Sequence, residues 1–220
     1  MNRSAVIIGN GDFPKKEYPL YLLSRADYIV CCDGALDRYL RYTRDHSMTR
    51  LPDAVIGDMD SISASSRKKY AHLAVKVDDQ ETNDQTKAFD YVIRTFKDVS
   101  EIIFLAATGK REDHTLGNMS LLMEYARRDD VKASGIHIEM VSDYSTIIPV
   151  TDSTELDCGQ GRSISIISPD SSLRIRSKGL QWPTDNVIFD NWWKATLNRA
   201  SEDTVKLTFS HPSAALVIMD

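Results

Sequence analysis

The first two-thirds of the chain alternates short apolar runs with longer stretches patterned for helix. The runs are Ala5–Ile8, Tyr28–Cys32, Ala54–Ile56, Leu73–Val77, Ile102–Ala106 and Ile136–Val141. Their brevity and β-branched content favour buried strands over helices. Between them lie Gly34–Tyr42, Ala64–His72, Asp84–Phe96 and Leu116–Arg128. In Asp84–Phe96 the apolar residues Ala88, Tyr91, Val92 and Phe96 recur at helical spacing. Asp84 stands where a helix begins, a position that favours a carboxylate. Strands alternating with helices predict a mostly parallel sheet with helices on both faces, an α/β fold.

After about Val150 the pattern changes. Gly159, Gly161, Pro169, Gly179 and Pro183 punctuate short segments: Ser163–Ile167, Leu173–Arg176, Val187–Phe189, Thr204–Phe209 and Ala215–Met219. Leu173–Arg176 and Thr204–Phe209 alternate polar and apolar residues with period two, as antiparallel strands with one solvated face do. The expected organisation is an α/β catalytic domain over residues 1–150 and a small all-β sandwich over 151–220.

Bulk properties exclude several classes. A chain of 220 residues can bury a sizeable core. Its 27 Lys+Arg against 32 Asp+Glu give a net charge of -5, which argues against a general nucleic-acid binder. Uninterrupted apolar runs are only a few residues long, far short of the ~20 a membrane span needs. The first apolar run is also too short for a secretory signal, so a cytoplasmic protein is expected. Cys31, Cys32 and Cys158 match neither a disulfide framework nor a zinc pattern and read as small buried hydrophobes.

The placement of acids is the most informative feature. Asp12 follows the first predicted strand, Asp33 the second, and Asp58 and Asp60 the third. Asp84 lies just past the fourth and Asp113 beyond the fifth. Ligands of parallel sheets bind beyond the carboxyl ends of the strands, so these acids gather if their loops share that edge. Carboxylates at close range repel, and a divalent cation relieves the repulsion. An oxygen-only donor set suits Mg2+ or Ca2+ rather than zinc. In Gly57-Asp58-Met59-Asp60-Ser61, an extended chain would point both carboxylates the same way. The competing reading is a turn with capping aspartates.

Other segments point the same way. Thr108-Gly109-Lys110-Arg111-Glu112-Asp113-His114 places two adjacent cations beside acids, a grip for polyphosphate. It lacks the upstream glycine and the Ser/Thr of a P-loop. His114 could bind phosphate, transfer a proton, or cap a helix starting near Thr115. Gly9-Asn10-Gly11-Asp12 fails as a dinucleotide fingerprint because Pro14 takes the third glycine position, yet its backbone N–H groups suit phosphate or ribose. Gly179-Leu180-Gln181-Trp182-Pro183 puts an indole in a turn, where a flat cationic ligand would stack.

Together these motifs resemble the thiamine pyrophosphokinase (thiamine diphosphokinase) family. The match runs through Gly9–Asp12, Cys32-Asp33-Gly34-Ala35, Pro52–Ser61, Asp79-Gln80 with Asp84, Gly109 with Arg111, Asp113, His114, Leu116 and Asn118, and Gly179–Pro183. The resemblance implies pyrophosphoryl transfer from ATP to the thiamine hydroxyl, with Mg2+, giving thiamine diphosphate and AMP. It implies that Asp33, Asp58, Asp60 and Asp84 surround Mg2+ and the triphosphate, with Asp58, Asp60 and Asp84 as metal ligands. Arg111 and Asp113 complete the catalytic edge. Gly9, Asn10, Gly11, Asp12, Gly34 and His114 serve the nucleotide. Gln80, Trp182 and Asn198 serve thiamine, with the indole contributed across a homodimer. The sequence departs from the family pattern at Asn83, at Lys110 where a second glycine is frequent, and at Leu197 where a serine is common. From the D-x-D alone, an Mg2+-dependent phosphohydrolase or a sugar-nucleotide transferase is the alternative. A non-catalytic thiamine or nucleotide sensor is a third reading.

Overall fold

The structure, a computed structural model, describes residues 3–77 and 81–220. It contains two compact units: Met1–Asn118 with Gly135–Asp143, and Met119–Ser134 with Tyr144–Asp220.

The first unit holds strands β1 (Arg3–Ile8), β2 (Tyr28–Cys32), β3 (Ala54–Gly57), β4 (Ala74–Lys76), β5 (Val99–Leu105) and β6 (His137–Val141). They lie in the order β6-β5-β1-β2-β3-β4, and every pairing is parallel. The helices are α1 (Glu17–Arg25), α2 (Ala35–Asp45), α3 (Ala64–Lys69) and α4 (Asp84–Thr95). Helix α5 (Glu112–Arg127) begins here, and α6 (Asp129–Ser134) follows it. Alternate strand residues point to opposite faces. Val6, Ile8, Ile29, Cys31 and Val55 form one core with Leu22 and Leu23 of α1 and Leu36 and Tyr39 of α2. Phe104 of β5 meets Phe89 of α4, ring centroids 6.2 Å apart. The strand order reverses between β1 and β5, and such a switch point leaves a crevice at the carboxyl ends of the strands.

The second unit adds β7 (Thr146–Val150), β8 (Thr154–Asp157), β9 (Ser163–Ile167), β10 (Ile175–Lys178), β11 (Ala195–Arg199), β12 (Thr204–Phe209) and β13 (Ala215–Met219). Strands β11-β9-β13-β7 pair antiparallel, as do β10-β12-β8. Ile164 and Ile166, Val217 and Met219, Ile175, and Val205 and Leu207 fill the space between the two sheets. In β12 every second residue is buried, as the period-two pattern predicts. The expected fold class is what the structure shows: a parallel sheet with helices, then an antiparallel sandwich.

Individual elements differ from the sequence reading. Val187–Phe189 is not a strand; Phe189 is buried and plugs the sandwich core from a turn-rich segment instead. Helix α5 starts at Glu112, a turn before Leu116, so Asp113 and His114 lie in its first turn. Helix α1 and strands β7, β8 and β11 carry too little periodic signal to be read. In α1, Pro19 sits in the first turn, where its missing N–H costs little. All three cysteines are free and buried, as expected.

Candidate active site

Four loops of the first unit meet beyond the strand ends, and glycines let them approach. After β1, Gly9 N–H donates to Leu105 O (2.8 Å), Gly11 N–H to Ala106 O (2.6 Å) and Asp12 N–H to Thr108 O (2.8 Å). A Cβ on Gly11 would stand 2.2 Å from Thr108 O, so only glycine lets the β1 and β5 loops run this close. A Cβ on Gly34 would meet Asn10 Nδ2 at 3.0 Å and Ser61 O at 3.1 Å. The loops after β1, β2 and β3 therefore cross at Gly34.

Asp33 follows β2 and precedes α2 with φ of 31°, a left-handed conformation that Asp tolerates better than most residues. Its N–H donates to Ile56 O (2.8 Å) and its Oδ2 accepts from Ser61 N–H (3.0 Å). Asp33 is 3% exposed, and its other oxygen, Oδ1, is buried without a hydrogen-bond partner among the described residues. An unpaired buried carboxylate oxygen is costly unless something else meets it. Gly57 makes room beside it: a Cβ there would lie 2.9 Å from Asp33 Cβ, and Gly57 has φ of 152°.

The D-x-D segment is a turn, not extended chain. Met59 adopts φ of 71°, and Asp58 Oδ1 accepts from Asp60 N–H at 3.0 Å. The expected alignment of the two carboxylates is thereby corrected, because Asp side chains stabilise such turns by bonding their own backbone two residues on. Asp58 is half-buried, whereas Asp60 is exposed and stands 3.7 Å from Arg67.

Asp84 is the first residue of α4, as predicted, with Asn83 as the cap accepting from Thr86 N–H (2.9 Å). Burial raises the Asp84 carboxyl above its ordinary value; Lys87 opposes this, while Asp33 and Asp58 add to it. Lys87 Nζ lies 3.7 Å from Asp84 Oδ1, and its side chain is 7% exposed. The buried Cys32 thiol points to Asp84 O (3.5 Å), and burial first, then Asp84, pushes that thiol well above its ordinary value. Asn118 of α5 ties the edge together. It donates to Ala107 O (2.8 Å) and receives donors from Asn83 (3.1 Å, to Oδ1) and Gln85 (3.0 Å, to its backbone O).

The basic side of the edge differs from expectation. Arg111 is bonded to Asp113 through Nε (3.0 Å) and Nη2 (2.5 Å), and both side chains are largely exposed. Arg111 holds the Asp113 carboxyl down to about 2. His114 N–H also donates to Asp113 Oδ1 (2.9 Å). Lys110 has φ of 64° and donates to Asn10 Oδ1 (3.1 Å). Burial lowers the Lys110 ammonium, with Arg38 nearby adding to that effect and Asp12 opposing it. Arg38 of α2 donates to Gly11 O. Arg38 and Lys87 were not singled out in the sequence. Their one legible signal was position, Lys87 one turn after Asp84 and Arg38 one turn into the helix after Asp33.

In the second unit, Trp182 is 54% exposed. Asn198 is buried and clamps the Trp182 backbone, accepting from its N–H (3.2 Å) and donating to its O (2.6 Å). A cavity of about 170 Å³ is lined by Trp182, Pro183, Thr184, Lys194, Leu197 and Asn198, among others. Leu197 has φ of 58° and is 86% exposed. Asp79 and Gln80 lie outside the described residues.

Two family models cover most of the chain. The model described as thiamin pyrophosphokinase, catalytic domain, matches residues 20–134, and that for the substrate-binding domain matches 146–215. The chain belongs to the thiamin pyrophosphokinase family. Thiamine pyrophosphokinase 1 of Oryza sativa subsp. japonica is 29% identical over 93% of this chain and 83% of its own length. Its namesake in Arabidopsis thaliana is 27% identical over 84% and 74%. The fold matches solved thiamine pyrophosphokinases from Bacillus subtilis (TM-score 0.74, 18% identity, 99% of each chain) and yeast (TM-score 0.75, 18% identity, 99% of this chain and 86% of that one). As a thiamine diphosphokinase, the chain is a transferase of thiamine diphosphate biosynthesis that uses ATP as co-substrate.

The residues present fit a hard divalent cation. Among the described residues, no three His, Cys, Asp or Glu side chains are already gathered as a metal cage. Mg2+ seldom uses one: it takes one or two carboxylates and completes its shell with water and substrate phosphates. Asp33 Oδ1 is an orphaned acceptor of the right chemistry, in a site where Asp33 and Asp58 act on Asp84. No helix among the described residues is long and apolar enough to cross a membrane.

Proposed function

We propose that residues 1–150 hold ATP and Mg2+ at this carboxylate edge and that residues 151–220 hold thiamine, the pyrophosphoryl group passing from ATP to the thiamine hydroxyl and leaving AMP. The observation that carries this reading is the buried Asp33 oxygen, unpartnered among the described residues, in a nest with Asp58 and Asp84. Asp58, Asp60 and Asp84 would ligate Mg2+, which when bound neutralises charge on the phosphate oxygens. Asp60 is exposed and reaches the ion by releasing Arg67, a weak surface partner. Gly9, Asn10, Gly11, Asp12 and Gly34 line the nucleotide's approach, with Lys110, Arg38 and His114 supplying positive or polar groups. Arg111 meets charge developing on the transferred group once it turns from Asp113. Catalysis is in-line positioning plus charge neutralisation. Asp113, held near 2 by Arg111, is a poor proton acceptor.

For thiamine, Trp182 offers an exposed aromatic face to a cationic ring and Asn198 holds that turn in place; Gln80, outside the described residues, is assigned to thiamine on the family resemblance alone. The chain acts as a homodimer, with Trp182 of the partner subunit completing each site, in the cytoplasm. The two family models support this reading over a phosphohydrolase. Removing divalent ions with EDTA tests the metal assignment: turnover should stop and return with Mg2+. Turnover that persists under chelation would refute it.

A further inference from the structure

Lys87 is a buried lysine in an acidic nest. Lysines are rarely buried without a partner, and this one stands 3.7 Å from Asp84 Oδ1 with its side chain 7% exposed. Asp84 in turn interacts with Asp33 and Asp58. The ammonium therefore already occupies part of the electrostatic role that a divalent cation would take. We propose that Lys87 makes the nest accept its divalent cation together with the triphosphate rather than alone. The inference rests on the metal-nucleotide reading above and deepens it.

A cation bound to Asp84 Oδ1 at ~2.1 Å would stand within about 6 Å of Lys87 Nζ. Even in water-like surroundings, a single charge ~6 Å from a double one weakens bare-ion binding about tenfold. A cation carrying a triphosphate brings a net negative charge, and the same ammonium then attracts it. The carboxylates alone would have no such preference: three or four of them would draw a naked divalent ion most strongly. Lys87 acts through Asp84 and the local field, so it is a positioning residue for the nucleotide and a filter against the free ion.

The test is binding without turnover. Mn2+ is titrated by its free-ion paramagnetic resonance signal into the full protein, alone and with a non-hydrolysable ATP analogue. In Lys87→Met, bare Mn2+ should bind about tenfold tighter while the analogue-bearing complex binds weaker. Lys87→Arg, which restores the charge, should return both constants toward the parent values. A merely structural lysine would loosen both together. Should Lys87→Met fail to fold, Lys87→Gln keeps a donor for Asp84 and carries the same expectations. Bare Mn2+ binding unchanged or weaker in a folded, neutral variant overturns the proposal. No Mn2+ binding by the parent protein under either condition overturns the metal reading itself, and this inference with it.

Discussion

Gly57→Ala is the substitution whose consequence follows most directly from the geometry. The added methyl would lie 2.9 Å from Asp33 Cβ. Two carbons settle at about 3.5–4.0 Å, so the contact is short by roughly 0.6–1 Å. Asp33 cannot yield freely, because it is buried and fixed to Ser61 N–H and, through its own N–H, to Ile56 O. Gly57 also has φ of 152°, which an L side chain adopts only with strain. Backbone strain and overpacking together cost about 2–4 kcal/mol. For a chain of this size that lowers the melting temperature by roughly 5–15 °C. Displacing Asp33 by most of an ångström should reduce kcat by about 30- to 100-fold. Gly117→Ala is the control: among the described residues nothing beyond its own helical turn lies within 4 Å of the added methyl, and it sits inside α5. It should melt at or slightly above the parent temperature, since helical Gly→Ala gains up to about 1 kcal/mol. Calorimetry and steady-state turnover of the two variants decide the matter. Gly57→Ala with parent-like turnover and melting would refute the reasoning that Asp33's position is held by this contact.

Further outcomes are expected. Trp182→Ala should leave stability nearly unchanged, since the side chain is 54% exposed, while raising KM for thiamine and abolishing ligand-induced fluorescence quenching. Quenching that survives would assign the ligand to another tryptophan. Mixing Trp182→Ala with Asp84→Asn subunits, at thiamine too dilute for either alone to turn over appreciably, should restore about a quarter of parent activity if sites are shared across a two-fold interface. No recovery from a mixture shown to exchange would place Trp182 and Asp84 in one subunit's own site. In the second unit, Asp170 accepts from Ser172 N–H (2.9 Å), Ser172 Oγ (2.6 Å), Ser213 Oγ (2.7 Å) and His211 Nε2 (3.1 Å). These bonds hold its carboxyl well below the ordinary range, Ser172 foremost. Its folded value is depressed, so the stabilisation is full above about pH 4 and is lost as pH falls toward the folded value. Asp170→Asn should cost about 1–2 kcal/mol in urea unfolding at pH 7, discounted for partial exposure, with a narrowing gap below about pH 4. A gap that widens in acid would contradict the assignment.

Much of the first unit was legible because its strands are short, β-branched and buried on both faces. Tyr28–Cys32 was read to the residue for that reason, and Asp84 was placed at its helix start because a cap and an apolar stripe agree there. The gathering of Asp33, Asp58 and Asp84 followed from parallel topology alone, since every loop after a strand returns to the same edge. What was not legible depended on contacts across loops. The turn at Asp58–Asp60 depends on Met59 adopting a left-handed conformation. Lys110 takes φ of 64° where a glycine is frequent in the family, so its departure is tolerated with strain that sequence does not display. Arg38 and Lys87 face the site only because α2 and α4 pack as they do. In the second unit, Val187–Phe189 looked like a strand because it is apolar, but Val187 and Phe189 serve the core from a loop while Ile188 is exposed.

The central claim is that this edge transfers a pyrophosphoryl group, with attack at the β-phosphorus. Quantifying nucleotide products by ion-exchange chromatography, with and without thiamine, tests it most directly. AMP should form one-for-one with thiamine diphosphate, dependent on thiamine and on Mg2+. ADP as the stoichiometric product, or inorganic phosphate released without any acceptor, would contradict it.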